Sequence, residues 1–100
     1  MPRPVFTTPE ADADIRDAFA WYEARLPGLG ADFLGEVAIV FSSLEAFPEG
    51  HAIIRGETRR AVLHRFPYSV FYVVDADSIA VTAVLHFRRD PRSWPASTDV

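Results

Sequence analysis

The 100-residue sequence contains no cysteine, lysine, asparagine or glutamine. The absence of cysteine excludes disulfide bonds, thiolate-bound zinc and thiol nucleophiles. No apolar run reaches the roughly 18 residues of a membrane span, and the first residues lack the apolar stretch of a signal peptide. All ten basic residues are Arg, so any anion-binding group must be a guanidinium, which binds phosphate or carboxylate but is a poor proton carrier. We therefore expect a cytoplasmic protein that does not associate with membranes.

The length and charge of the chain limit its domain organisation and the partners that it can bind. A chain of this size is expected to form a single domain over residues 1–100, with a core that covers about residues 3–94. The formal charge is −4, but residues 1–54 carry three Arg against nine acids, or −6, whereas residues 55–100 carry seven Arg against five acids, or +2. An acidic chain binds nucleic acid poorly, because that affinity comes from neutralising phosphates. The Arg-rich second half can still bind an acidic partner.

The first half of the sequence has the pattern of two amphipathic helices. Thr8-Pro9-Glu10 is typical of a helix start, with Thr as the N-cap and Pro at the first helical position. Apolar residues then recur every three or four positions until Pro27-Gly28-Leu29-Gly30. A second such stripe runs from about Ala31 to Phe47 and ends before Pro48. The short connection predicts an antiparallel αα-hairpin.

Beyond residue 52 the apolar period changes from about 3.6 to 2, which is typical of strands. We predict strands at about Thr58–Phe66, Ser69–Asp75 and Ile79–Phe87, joined by short turns into an antiparallel meander. A short β-prone run, Val5-Phe6-Thr7, precedes the first helix. The predicted fold class is therefore α+β, with the order β-α-α-β-β-β. The helical hairpin is expected to pack on one face of a mostly antiparallel twisted sheet.

The pairing of the strands decides which residues share a face of this sheet. If Phe66 pairs with Ser69 and Asp75 with Ser78, one face is nearly all apolar and packs on the helices. The other face then carries Arg60, His64, Phe66, Ser69, Phe71, Val73, Thr82, Val84, His86 and Arg88. Because two helices cover only one face, we expect an exposed apolar patch here, and such patches mark partner sites. Self-association through the patch, and cover by a terminal tail, are the alternatives.

The residues alone offer little catalytic machinery. The sequence has no phosphate-binding Gly loop and no Gly-x-Ser-x-Gly motif, and its histidines lack metal-ligand spacing, so no metal or cofactor is predicted. The strongest cluster comprises Arg59, Arg60, Arg65, His86, Arg88, Arg89 and Arg92. Such an Arg and His group can cleave RNA, since Arg stabilises the phosphorane and His moves protons. The alternative is a set of solvated strand ends that bind an acidic protein.

The first helix carries further polar and aromatic residues. We interpret Asp12, Asp14, Asp17 and Glu23 as its solvated face rather than as paired catalytic carboxylates. Trp21 falls outside the main apolar stripe. We interpret it as packing against the edge of the sheet, with a docking role as the alternative.

Several short motifs occur in a characteristic order along the chain. They are Trp21-Tyr22-Glu23, Pro27-Gly28-Leu29-Gly30, Phe33, Pro48, Arg59-Arg60, Arg65-Phe66-Pro67-Tyr68, Tyr72, His86-x-Arg88-Arg89-Asp90-Pro91 and Trp94. Taken together, they resemble the RelE/ParE superfamily of bacterial toxins of type II toxin–antitoxin systems. The ParE-like branch, often labelled plasmid stabilisation proteins, is the more similar. The resemblance covers about Thr8 to Trp94 and implies the same β-α-α-β-β-β fold.

The resemblance implies a toxin that a cognate antitoxin, a small protein encoded next to it, neutralises in a hetero-oligomer. ParE-like members are associated with inhibition of DNA gyrase, whereas RelE-like members cleave mRNA on the ribosome, commonly with a Tyr near the end of the last strand. Phe87 follows His86 where some ribonucleases have Tyr, and Lys is absent, so we expect gyrase inhibition. The alternatives are a ribosome-dependent endoribonuclease that uses His86, Arg65 and Arg88, and an inactive member that binds only its antitoxin.

The antitoxin is expected to bind the open face, by strand addition or as a helix in a groove. The predicted partner-binding residues are Arg60, His64, Phe66, Phe71, Val84, His86, Arg88, Arg89 and Trp94. On this prediction, Phe71→Glu weakens the complex and leaves the fold intact.

Overall fold

Two helices and a five-stranded sheet make up most of residues 3–95, which are the residues that the computed structural model describes. In chain order the elements are β1 (Val5–Thr7), α1 (Pro9–Arg25), α2 (Leu29–Ala46), β2 (Ile53–Arg55), β3 (Thr58–Val62), β4 (Tyr68–Val74), β5 (Ile79–His86) and the short 3-10 helix η1 (Pro91–Ser93). The predicted α+β class and element order are confirmed, with β2 as an additional strand. Within residues 3–95, no helix has the length and apolar character needed to cross a bilayer.

Local signals fix where α1 begins. The Thr8 hydroxyl accepts a hydrogen bond from the Ala11 backbone N–H at 3.2 Å, and Pro9 takes the first helical position, as the sequence predicts. Glu10 and Asp12 place negative charge in the first turn, where the helix dipole favours it. The apolar side of α1 then faces the sheet and α2.

The start of α2 is capped from outside the helix. Gly28 precedes it with φ of 92°, a left-handed conformation that favours glycine, and has no side chain to act as a cap. The Glu23 carboxylate of α1 provides the cap instead, accepting from the backbone N–H groups of Gly28 and Gly30 at 2.9 Å each. A Cβ at Gly30 would lie 2.7 Å from the Phe19 ring, so glycine also allows the two helices to approach closely.

We expect Glu23→Ala to lower the free energy of unfolding by about 1–2 kcal/mol, because the change removes both a helix cap and a favourable charge at a helix N-terminus. Urea denaturation followed by circular dichroism measures the effect. Glu49→Ala, which removes an exposed carboxylate outside both helices, is the matched control and should leave stability unchanged. Equal stabilities of the two variants would contradict the capping role.

The strands lie in the order β1-β5-β4-β3-β2, with β1 parallel to β5 and the other pairs antiparallel. From Val74↔Ile79 to Tyr72↔Val81 the β4–β5 register is the predicted one. A bulge then inserts one extra residue in β5, so that Phe71 pairs with Ala83 instead of Thr82. Because each added residue reverses the side to which the following side chains point, the predicted faces are wrong beyond Thr82. Val84 packs with the helix-side core, and Ala83 and Leu85 lie with Phe71 on the far face.

The connection from β3 to β4 also differs from the prediction. Strand β3 ends at Val62, which pairs with Ser69, and residues 63–67 form a loop in place of the predicted strand end and two-residue turn. One Glu36 carboxylate oxygen on α2 accepts the backbone N–H groups of His64 and Arg65 at 2.9 and 3.1 Å. This bend turns Phe66 beneath the helices, where its ring lies 4.8 Å from that of Tyr22.

The predicted exposed apolar patch is therefore absent from the described residues. Phe66 and Val84 are buried in the helix-side core. Phe71 remains on the far face but is 0% exposed, because Ile54 of β2 and Trp94 of the C-terminal segment pack over it. Cover of the far face by a terminal segment, an alternative at the sequence level, is what the structure shows.

Candidate functional site

A groove of about 840 Å³ runs between α1 and the adjoining ends of β4 and β5. Its apolar part comes from Ala18, Tyr22 and Val84, and charged side chains lie along its length. The lining residues are Asp14, Asp17, Ala18, Trp21, Tyr22, Pro67, Tyr68, Val84, Leu85, His86, Arg88, Arg89 and Asp90. Concave surfaces that combine an apolar floor with convergent polar groups are the preferred ligand sites of proteins. We therefore take this groove as the candidate functional site.

The groove exists because β1 is short. β1 pairs only with Ile79–Val81, so the rest of the outer edge of β5 faces α1 and not a neighbouring strand. Side chains at the start of α1 bind part of this edge: the Thr8 hydroxyl donates to the Thr82 carbonyl at 3.3 Å, and Asp14 Oδ2 accepts from the Val84 N–H at 3.0 Å. The Thr82 carbonyl and the Val84 N–H, with which an added strand would pair, are therefore already hydrogen-bonded.

Asp14 is a partly buried carboxylate at the end of this edge. Burial raises its pKa above the usual 3.8, and the hydrogen bond from Val84 and the positive charge of Arg89 oppose the shift without cancelling it. The sequence-level interpretation of Asp14 as part of a solvated helix face is thus incomplete. The Asp14 carboxylate is a polar group in the part of the groove that Ala18, Tyr22 and Val84 otherwise make apolar.

The raised pKa predicts how Asp14 affects stability with pH. Because the folded chain holds the Asp14 proton more tightly than the unfolded chain, this group stabilises most at low pH, and the contribution is lost as pH rises from 3.8 through the raised pKa. Asp14→Asn removes the titration and keeps an acceptor for the Val84 N–H. We therefore expect the variant to gain stability relative to wild type as pH increases towards neutrality, measured by urea denaturation at a series of pH values. A stability difference that does not vary with pH would contradict this role.

His86 and Tyr68 face each other where β4 and β5 pair. Their ring centroids are 5.2 Å apart in an edge-to-face arrangement. His86 Nδ1 accepts from the backbone N–H of Arg88 at 3.0 Å, which assigns the proton of the neutral ring to Nε2. Burial, and then the neighbouring Tyr22, raise the pKa of Tyr68, so its hydroxyl is protonated at neutral pH. The groove thus offers an imidazole and a protonated phenol as polar groups.

The charges along the groove are mixed. Among the described lining residues, three carboxylates of Asp14, Asp17 and Asp90 face two guanidiniums of Arg88 and Arg89. A surface that binds RNA through its phosphates needs an excess of positive charge, and this lining does not provide one. It suits a polypeptide segment that itself carries charges of both signs.

Trp21 forms one lip of the groove and is 50% exposed. Its ring packs edge-to-face on Tyr22 at 5.1 Å, and the Arg25 guanidinium stacks 3.7 Å from its centroid. A large aromatic side chain that is held in place while half exposed is typical of residues that dominate interfaces. The docking alternative for Trp21 was visible in the sequence as an aromatic residue outside the apolar stripe.

The structure separates the residues predicted to bind a partner. Four of the nine line the groove: Val84, His86, Arg88 and Arg89. Arg60 and Trp94 lie together on the far face of the sheet, where the guanidinium carbon is 4.9 Å from the indole ring. His64 is exposed in the β3–β4 loop. Asp14 and Tyr68, for which the sequence predicted no site role, and Trp21, for which docking was the alternative, also line the groove. They do so because the bulge in β5 brings its final residues to the side of α1.

The proposed ribonuclease set is assembled only in part. His86 and Arg88 line the groove. Arg65 does not line it; its guanidinium lies 3.7 Å from the Asp32 carboxylate of α2 and 5.5 Å from the Phe66 ring.

The chain is similar to known proteins by a family model and by a solved structure. A family model described as "ParE toxin of type II toxin-antitoxin system, parDE" matches residues 5–91. Among solved structures, a chain of the chromosomal ParDE TA system from P. aeruginosa resembles this one with a TM-score of 0.75. The two chains are 17% identical, and the match covers 84% of this chain and 95% of the other. That likeness shows a shared fold. The search of curated proteins found no significant match.

Proposed function

The chain belongs to the ParE toxin family of type II toxin–antitoxin systems, as the family match over residues 5–91 shows, and we propose that a cognate antitoxin neutralises it by binding the groove beside α1. We further propose that the free toxin binds and inhibits DNA gyrase. The antitoxin is a small protein encoded next to the toxin, and the two form a hetero-oligomer.

The geometry of the groove is the observation that supports an antitoxin at this position. An amphipathic segment can place apolar side chains on Tyr22 and Val84 and against Trp21, and charges of either sign opposite Asp17 or Arg89. A helix in the groove is favoured over an added strand. The reason is that Thr8 and Asp14 already occupy the backbone groups of Thr82 and Val84 with which a strand would pair.

The incomplete ribonuclease set favours inhibition by binding over RNA cleavage. Arg65 lies outside the groove, the lining carries more carboxylates than guanidiniums among its described residues, and Phe87 cannot transfer a proton. One contact favours the second candidate function, a ribosome-dependent endoribonuclease. The Tyr68 ring lies 5.2 Å from that of His86, so Tyr68 could supply the phenol that position 87 lacks.

Two assays with one variant separate these functions. Expression without the antitoxin is expected to arrest growth of a bacterial host, and purified gyrase is expected to lose supercoiling activity at micromolar toxin and to regain it when the antitoxin is added. Translation extracts should show intact message. Unaffected supercoiling, together with message cleavage that His86→Ala abolishes, would overturn the gyrase proposal in favour of the ribonuclease.

A further inference from the structure

The C-terminal segment, residues 90–95, binds the far face of the sheet as a turn and not as a strand. The Asp90 carboxylate accepts from the Arg92 backbone N–H at 2.9 Å and so caps η1. The Arg55 guanidinium of β2 donates to the carbonyl oxygens of Pro91 at 2.9 Å and Trp94 at 3.1 Å. A single side chain of the sheet therefore holds both ends of a four-residue turn.

The Trp94 side chain fills a pocket built for an aromatic ring. Its ring lies 5.2 Å from that of Phe71, and Ile54, Ala83 and Leu85 belong to the same apolar cluster. Arg60 closes the pocket with its guanidinium carbon 4.9 Å from the indole centroid. The Arg60 Nε–H donates to the Ser69 hydroxyl at 2.7 Å, which fixes the guanidinium in this position.

A guanidinium that binds two main-chain carbonyls and a pocket that takes one aromatic anchor together hold a short peptide segment in place. We infer that the far face of the sheet is a peptide-binding site, occupied in cis by residues 90–95, which accepts an aromatic-anchored turn of a partner polypeptide when this segment is displaced. The Trp94 pocket lies on the opposite side of the sheet from the groove, and Asp90, at the start of the segment, also lines the groove.

Charge indicates the kind of partner. Arg55 and Arg60 belong to the site. Within the resident segment Arg92 is paired with Asp90, but residues 88–95 together carry three Arg against one Asp, or +2. The part of the chain from residue 55 onwards carries a net charge of +2. A second copy of this chain would bring a further positive segment to a positive site, whereas an acidic partner segment is attracted to it. The site therefore fits an acidic segment with an aromatic residue.

The test uses the full chain and a dye-labelled peptide of residues 88–100, followed by fluorescence anisotropy. Trp94→Ala empties the pocket, so we expect the peptide to bind this variant at least tenfold more tightly than wild type, in which the cis segment competes at an effective concentration of about 1 mM or more. A peptide with Glu in place of Arg88, Arg89 and Arg92 should bind about tenfold more tightly still at low salt. A peptide with Ala in place of Trp94 should not bind.

A second variant guards against misfolding. Trp94→Leu keeps an apolar side chain over Phe71 while removing the aromatic ring, and should also bind the peptide more tightly than wild type. Adding Arg55→Ala to either variant should weaken peptide binding at least fivefold. No binding to either single variant, or equal binding to both variants and wild type, would overturn the inference. Concentration-dependent dimers of wild type that Trp94→Ala abolishes would overturn the assignment to a partner and favour exchange between copies.

Discussion

Phe71→Glu is expected to unfold the protein, or to lower its free energy of unfolding by at least about 3 kcal/mol. The phenyl ring is 0% exposed and contacts Trp94, so the change removes the core of the far-face cluster and places a carboxylate where water is excluded. Proteins of this size have only about 5–15 kcal/mol of net stability. Urea denaturation and near-ultraviolet circular dichroism measure the loss.

Phe87→Glu is the matched control, because Phe87 is a second phenylalanine near the far-face site, with its ring 5.6 Å from the Arg60 guanidinium carbon, but is 47% exposed. We expect it to change stability by less than about 0.5 kcal/mol, as surface substitutions usually do. A folded Phe71→Glu variant with the stability of wild type would instead support the open face that the sequence-based register predicted.

Trp21→Ala is expected to weaken antitoxin binding by at least tenfold while leaving the fold intact. Truncating an aromatic hot-spot residue to Ala commonly costs about 2 kcal/mol or more of binding free energy. The fold is expected to tolerate the change, because a half-exposed ring contributes less to the core than a buried one. Isothermal titration calorimetry with the purified antitoxin measures the affinity, and circular dichroism checks the fold.

Phe47→Ala controls for the loss of an exposed aromatic side chain. Phe47 is 72% exposed and follows the end of α2, outside the groove. Its removal should leave the affinity unchanged. If Phe47→Ala weakened the complex and Trp21→Ala did not, the antitoxin would bind elsewhere on the toxin.

The helical hairpin could be predicted because its signals are local. Thr8 and Pro9 specify the start of α1 through hydrogen bonding and φ at adjacent positions. The glycines between the helices mark the turn, and the apolar spacing marks the buried stripes. None of these signals depends on residues distant in the sequence.

The faces of the sheet could not be predicted, because the bulge in β5 leaves no mark in the sequence. Residues 79–85 are apolar apart from Thr82. The apolar pattern is therefore compatible with either orientation of the side chains that follow the extra residue. The β3–β4 loop depends on Glu36, which lies 28 residues before His64. Such long-range contacts override a period-2 pattern.

The same bulge explains why the site was only partly predicted. It places Val84 on the helix side and His86 in the groove, and so joins them to Asp14 and Trp21 of α1. Arg60 and Trp94 stay on the far face, where the C-terminal segment covers Phe71. The residues that the sequence assigned to one binding surface therefore lie on two, the groove and the far face of the sheet.

The two tryptophans of the chain, one on each surface, allow the most direct test of the antitoxin site. Titration of nitrogen-15-labelled toxin with unlabelled antitoxin, followed by NMR of the indole N–H signals, reports on both at once, and Trp21→Phe and Trp94→Phe assign them. We predict that the Trp21 signal shifts on saturation and that the Trp94 signal stays in place. A shift of Trp94 with Trp21 unchanged would contradict the groove as the antitoxin site.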